Sequence, residues 1–523
     1  MSDAATTPAL ALPAGIKKFT KGLLIGGGAF AGLLALLLVV PHFVDLGLFK
    51  ATYLPLIEDV LGRRVDVGEV HLRLVPTPSI QISKLRVADS QSFAGNTFFA
   101  AEQLQLQLKF LPLVRGRFEV TELVLDKPVF NLLKQADGSF NYADLASKKT
   151  SAAPRRATRK KPEGSSKSVE AAPLALPSRL RIRDGQMNLV TKGQTPVNIK
   201  GIEITLQEMS GDSPFPFRAS FDYPGLKAVV LEGQLNYQEE KALLELKNNR
   251  LKIQDLTLPV QGSVSNLATT PKVNLSLNSE NVDAKPIFHI LSLFGLAPSD
   301  TEISGPMALY MTIAGPSNAL VTEIRGVFKD VYVKGKRALK GSLTGEVNLR
   351  LAPGGGRVSQ RLQGSGKLVA RDGELTNVNL IKKIHRVTGM IGLTPDQQRE
   401  ATTFKTMEGD FTIGGGVADF SRLYLVNPQM EVTGNGTMTL EQPSLNILLN
   451  TTLSEQASAR SGRGRSVSFF KDRQGRVAVP LKVTGPVENP SVNLNAEKLN
   501  ESGLPKTVEK GFSSFFKNLF RGR

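Results

Sequence analysis

Four histidines, His42, His71, His289 and His385, are the only imidazoles in the 523-residue chain, and it has no cysteine. Nucleophilic catalysis needs a base held beside the nucleophile, and these four lie far apart in sequence. The absence of Cys excludes a thiol nucleophile, a thiolate-held metal and a disulfide scaffold. The glycine triplets at 354–356 and 414–416 lack the Lys-Ser/Thr that would follow in a phosphate-binding loop, so they read as turns. No pair of carboxylates stands out. The sequence predicts a non-enzyme, with no catalytic residue, no metal site and no cofactor.

The remaining chemistry is that of hydrocarbon. Leu104, Leu106, Leu108 and Phe110 alternate with Gln103, Gln105, Gln107 and Lys109, the period-two pattern of a strand with one apolar and one wet face. The pattern recurs at Val273, Leu275 and Leu277, at Met307, Leu309, Met311 and Ile313, at Val347, Leu349 and Leu351, and at Val477 to Val483. One-faced strands of this kind imply an antiparallel sheet. Alternation leaves open whether that apolar face packs on a second sheet, closes a barrel or lines a curled trough. In a trough, the candidate lipid-facing residues are Leu104, Leu106, Leu108, Phe110, Val273, Leu275, Leu277, Met307, Leu309 and Met311.

Those strands need elements to hold them. Asp137-Gly138, Asp184-Gly185 and Asp372-Gly373 read as hairpin turns. A device of Pro, any residue, an apolar residue, Asn and Leu/Ile starts strands near 128, 271, 443 and 490. Short helices are expected at Tyr53–Leu61, Lys285–Leu296 and Leu380–Met390; the last two carry His289 and His385, read as packing residues. About 430 residues at ~14 per strand and turn give ~30 strands. At ~4.8 Å each they would form a blade of ~145 Å, too many for a flat open sheet, which leaves a curled trough or several stacked sandwiches.

Gly22 to Val40 is uncharged for 19 residues, and at ~1.5 Å per residue it reaches about 28 Å, a bilayer core. It exceeds a signal-peptide core, and no small-x-small site follows before Asp45, so an uncleaved anchor is expected. Lys17, Lys18 and Lys21 precede it, which predicts a cytoplasmic N-terminus and a body across the membrane. The expected organisation is a cytoplasmic tail (1–21), a transmembrane anchor (22–44), an N-terminal module (45–146), a disordered basic linker (147–178), a β-rich body (179–500) and a basic amphipathic helix (501–523).

The net charge of +18 is concentrated outside these strands. Residues 1–21 contribute +2, 147–178 contribute +6, 458–478 contribute +5 and 506–523 contribute +4. A nucleic-acid interface would gather that charge on a folded face, so nucleic acid is not an expected partner. At the C-terminus, Phe512, Phe515, Phe516, Leu519 and Phe520 fall on one helical face, with Lys517 and Arg521 among the basic remainder. Such a helix suits a membrane surface or a partner's groove.

Leu61-Gly62-Arg63-Arg64-Val65, Pro76-Thr77-Pro78, Leu111-Pro112-Leu113 and Asp137-Gly138-Ser139-Phe140-Asn141 occur in an order that resembles the amino-terminal, chorein-type module of the AsmA family. Arg371-Asp372-Gly373-Glu374-Leu375, Gly409-Asp410-Phe411, Asn427-Pro428, Gly434-Asn435-Gly436 and Val479-Pro480-Leu481 resemble its carboxy-terminal domain. Phe140 departs from the pattern, which often has Trp there, and the basic linker is unusually large. The resemblance implies a mainly β fold: a transmembrane helix, then an elongated, curled antiparallel sheet, an open groove with a few short helices, akin to bridge-like lipid carriers. It further implies a Gram-negative inner-membrane protein, single-pass, its bulk in the periplasm, moving phospholipid toward the outer membrane. An outer-membrane or periplasmic protein partner is expected at the C-terminal helix. The competing expectation is a scaffold that assists outer-membrane protein assembly and carries no lipid.

Overall fold

The computed structural model describes residues 50–142, 177–376 and 401–498, apart from 74–76, 90–94, 115–118, 135–139, 192–195, 210–212, 239–240, 267–270, 294–296, 298–299, 336–338, 461–469 and 496. The expected anchor, most of the basic linker, the helix at 380–390 with His385, the Asp137-Gly138 turn and the C-terminal helix lie outside those residues. Among the described residues no helix is long and apolar enough to cross a membrane. The chain divides into two compact units, Met1–Pro224 and Gly225–Arg523.

In the first unit, helix α1 (Lys50–Leu61) precedes β1 (Val65–Asp66), β2 (Val70–Arg73), β3 (Ser79–Ala88) and β4 (Thr97–Leu108). A one-turn helix α2 (Phe110–Val114) leads to β5 (Val120–Asp126), β6 (Val129–Lys134), β7 (Arg179–Thr191), β8 (Val197–Leu206) and β9 (Phe215–Tyr223). Neighbours pair antiparallel except at one place, where both β5 and β6 run parallel to β7. The sheet is therefore mixed, which corrects the purely antiparallel expectation. Parallel neighbours need a crossover of a dozen or more residues, and the long stretch between Lys134 and Arg179 supplies one. Its insertion does not interrupt the ladder, because Glu122 pairs with Arg179 and Val129 with Gln186.

The second unit is an antiparallel succession of β10 (Leu226–Gln238), β11 (Leu243–Ile253), β12 (Leu256–Ser265) and β13 (Lys272–Asp283). Helix α3 (Ala284–Leu293) is followed by β14 (Thr301–Ser304), β15 (Pro306–Pro316), β16 (Val321–Gly335) and β17 (Leu339–Leu351). Then come α4 (Val358–Arg361), β18 (Leu362–Leu375), β19 (Thr402–Gly414), β20 (Val417–Val426), β21 (Met430–Thr439) and β22 (Ser444–Leu453), and finally α5 (Glu455–Arg460), β23 (Ala478–Pro486) and β24 (Ser491–Leu494). The described strands number 24, fewer than the ~30 that the spacing of strands and turns suggests.

Two of the expected hairpin turns are instead bulges within strands. Asp184 (φ 47°) lies inside β7 and Asp372 (φ 48°) inside β18. Each sits where the register with the neighbouring strand slips. Asp tolerates the left-handed region that a tight turn needs, and an inserted bulge residue can require the same backbone. The dipeptide therefore reports the φ angle without specifying whether the chain reverses.

Candidate functional site

Paired residues of adjacent strands point to the same side of a sheet, so the registers trace each face strand by strand. In the second unit one face reads Leu244 and Leu246, then Val260 and Val264, Leu275 and Leu277, Met311 and Ile313, Ile324 and Phe328, Val347 and Leu349. It continues through Leu368 and Ala370, Met407 and Phe411, Leu423 and Leu425, Val432 and Met438, Ile447 and Leu449, Leu481 and Val483, and Val492 and Leu494. Apart from the buried amide of Asn249, opposite Val260, and small or hydroxylated residues such as Gly366 and Thr451, this face is apolar from β11 to β24.

The opposite face carries charge. Arg325 donates through Nε and Nη2 to both oxygens of Glu346 at 2.9 Å, and Arg350 donates to Glu323 at 3.0 Å. The Arg325 donations, with one from Asn348, hold the Glu346 carboxyl below the usual carboxylate range.

The apolar face is curled. Leu339 of β17 and Val483 of β23 stand six strand spacings apart, ~29 Å on a flat sheet. They nevertheless line the same cavity of about 260 Å³, together with Leu375, Met407, Leu423, Leu425, Val432, Leu445, Ile447 and Leu449. That volume equals about nine waters, but an apolar lining offers them few hydrogen-bond partners, so it favours hydrocarbon. Glycines on the inner face permit the curl. Gly366 pairs with Phe411, whose ring lies where a Cβ at 366 would stand.

The two long edges of the curl differ. Along one, Val331, Ala370, Phe404, Leu425, Met430, Val432, Leu453, Val477 and Val479 are buried. There Ile287 and Phe288 of α3, and Phe470 with Ala457 of α5, close over the core. Along the other, Met311, Ile313, Ile324, Leu349, Leu351 and Ile413 are only half-buried. The curl thus has a sealed floor and an accessible mouth.

The first unit also keeps its apolar residues on one face. Ile80 and Ile82 pair with Leu106 and Leu104, these with Leu123 and Leu125, then Leu180 and Ile182, then Leu206 and Ile204. The β5–β7 parallel pairing keeps these residues on one face, so the apolar row crosses the insertion without a break.

The expected lipid-facing residues divide accordingly. Leu104 and Leu106, with Val273, Leu275 and Met311, lie half-buried on the apolar faces; Leu108, Leu277, Met307 and Leu309 are buried as core. Phe110 is corrected: β4 ends at Leu108, and Phe110 starts α2 with 58% of its surface exposed. Alternation continued through it, but Pro112 cannot extend a ladder. His289 is likewise exposed on α3 rather than packed, and His71 lies exposed beside Glu69 at 3.2 Å. Among the described residues no cluster of His, Asp and Glu is arranged to hold a metal ion.

Sequence reasoning missed a buried polar knot. Arg63 pairs with Asp89 at 3.5 Å and donates to the carbonyl of Asn141, while its guanidinium lies over the Phe98 ring at 4.3 Å. The Asn141 amide donates to Asp89 Oδ2 at 2.7 Å and to the Asn131 carbonyl at 2.9 Å; its oxygen accepts from the Leu133 amide at 3.0 Å. Arg63 and Asn141 belong to the Leu-Gly-Arg-Arg-Val and Asp-Gly-Ser-Phe-Asn motifs. Their place in those motifs was the available signal, and they tie the segment before β1 to the chain that leaves β6.

A model of the AsmA family matches residues 17–287, just over half of the chain. The chain belongs to the AsmA family. The AsmA match takes in the first unit, with its motif residues Arg63 and Asn141, and continues into the second as far as α3. No curated protein and no solved structure matches the chain.

Proposed function

We propose that this AsmA-family protein is tethered in the bacterial inner membrane by residues 22–44 and carries phospholipid along its curled apolar face toward the outer membrane. The observation that carries this reading is an apolar cavity on a sheet face that stays largely apolar from strand to strand and is only half-buried along one edge. Acyl chains gain ~0.8 kcal/mol per CH₂ removed from water, while head groups stay hydrated at the rim. Movement along such a face needs no covalent step, so no catalytic residue is assigned. Residues 501–523, with Phe515 on the apolar side, supply the contact to an envelope partner or a second membrane.

The test places a photo-crosslinking amino acid at Leu349, on the mouth, and at Val331, on the floor, in the full chain expressed in Gram-negative cells. Lipid transport predicts phospholipid adducts at Leu349 and none at Val331. It also predicts phospholipid, seen by mass spectrometry, on the chain purified in mild detergent. Protein adducts alone at Leu349, with no bound phospholipid, would overturn the transport reading in favour of the scaffold.

A further inference from the structure

Phe110 and Leu111 are the most exposed large apolar residues described in the first unit, at 58% and 70%. Their place in the module is fixed by the β3–β4 pair. Ser79 lies beside Gln107, and the Leu108 amide donates to the Pro78 carbonyl at 2.8 Å, so both residues project beyond the Pro78 end of β3.

The N-terminus of helix α1 faces that same end. At its C-terminal side, Glu58 accepts from the Val65 amide at 2.7 Å, and Val65 pairs with Val87. At its N-terminal side, Lys50 Nζ donates to the Val67 carbonyl at 3.1 Å, and the next residue, Gly68, bonds to Ser83. Along β3 the helix therefore starts nearer Pro78 than it finishes. The uncharged run that begins at Gly22 ends at Val44, six residues before Lys50. Whatever its conformation, that connection spans at most ~20 Å. From the level of Ser83 to that of Pro78 is ~17 Å. The end of the apolar run and the Phe110-Leu111 tip thus lie within reach of one plane.

We propose that Phe110 and Leu111 insert into the interfacial layer of the phospholipid bilayer beside the N-terminal segment, forming a second membrane contact for the first unit. This rests on the reading of residues 22–44 as a membrane anchor. One helix alone lets the unit swivel; a second contact fixes the tilt of the sheet and presents one end of its apolar face to the lipid surface. Lys109, paired with Glu119 at 3.0 Å, sits where the strand leaves the sheet, and its charge suits the head-group level.

The chain has no cysteine, so a single introduced one is a unique reporter. Full chains bearing Leu111→Cys, Phe110→Cys, Leu36→Cys or Asn96→Cys are labelled with an environment-sensitive dye. They are reconstituted into vesicles of phosphatidylethanolamine and phosphatidylglycerol containing a nitroxide-labelled lipid. Asn96 adjoins the opposite end of the β3–β4 pair. The expected result is blue-shifted, quenched emission at 36, 110 and 111, and unshifted emission at 96. Quenching at 36 with positions 110 and 111 behaving like 96 overturns the docking and leaves the anchor standing. No quenching at 36 removes the anchor and the proposal with it.

Discussion

At the residue scale the informative groups are those that bury charge. Asn141 serves Asp89, Asn131 and Leu133 at once, so Asn141→Ala leaves buried partners unsatisfied beside an ionic pair. Breaking such a pair's network costs ~3 kcal/mol, expected as a lowered urea midpoint for the first unit. The outer-face pairs behave differently, being exposed. The Glu346 carboxyl is depressed chiefly by hydrogen bonds from Arg325, then by Asn348. A depressed acid stabilises the fold above the unfolded carboxylate's pKa, and that contribution is lost as pH falls through its lower folded value. The stability of the second unit should change little from neutrality to about pH 5 and fall below about pH 4. Glu346→Gln should flatten the acid limb; an unchanged limb would assign it to other carboxylates.

At the element scale, glycine and bulges shape the sheet. Gly366→Ala would drive a methyl into the Phe411 ring, an overpacking that costs ~1–3 kcal/mol and shows as a lower melting temperature with reduced near-ultraviolet Phe signal. The crossover between β6 and β7 has a length requirement. Asn141 lies beside Leu133, which pairs with Val190, so the chain must return along β7 to Arg179. That path is about 36 Å at strand rise, at least about ten extended residues. Deleting residues 148–167 leaves enough chain and should preserve folding; deleting 147–176 does not, and should yield insoluble protein. Equal solubility of the two would refute the parallel pairing. These features were only partly legible. Asp184 and Asp372 announced an unusual backbone, yet nothing local separates a reversal from a bulge, because that choice depends on which strand lies alongside.

For the whole molecule, the distinction that matters is between mouth and floor. Leu349→Asp on the half-buried edge should abolish phospholipid co-purification while the far-ultraviolet spectrum is kept. Val331→Asp, fully buried, should cost upwards of ~4 kcal/mol and unfold the unit. If both variants behaved alike, the face would be core throughout. Alternation in the sequence had already specified one-faced strands, and its loose motifs had placed the chain in its family, because side-chain period and turn chemistry are local. It could not rank Met307 against Met311, which share a strand and a face. Burial along that face depends on what closes over it, and α3 reaches Met307 from residues before the strand begins. Nor could it show that Leu339 and Val483 line one cavity, since curling sums small twists, bulges and missing side chains over six strand spacings. The apolar material was written in the sequence; whether it seals or stays open was decided by tertiary packing.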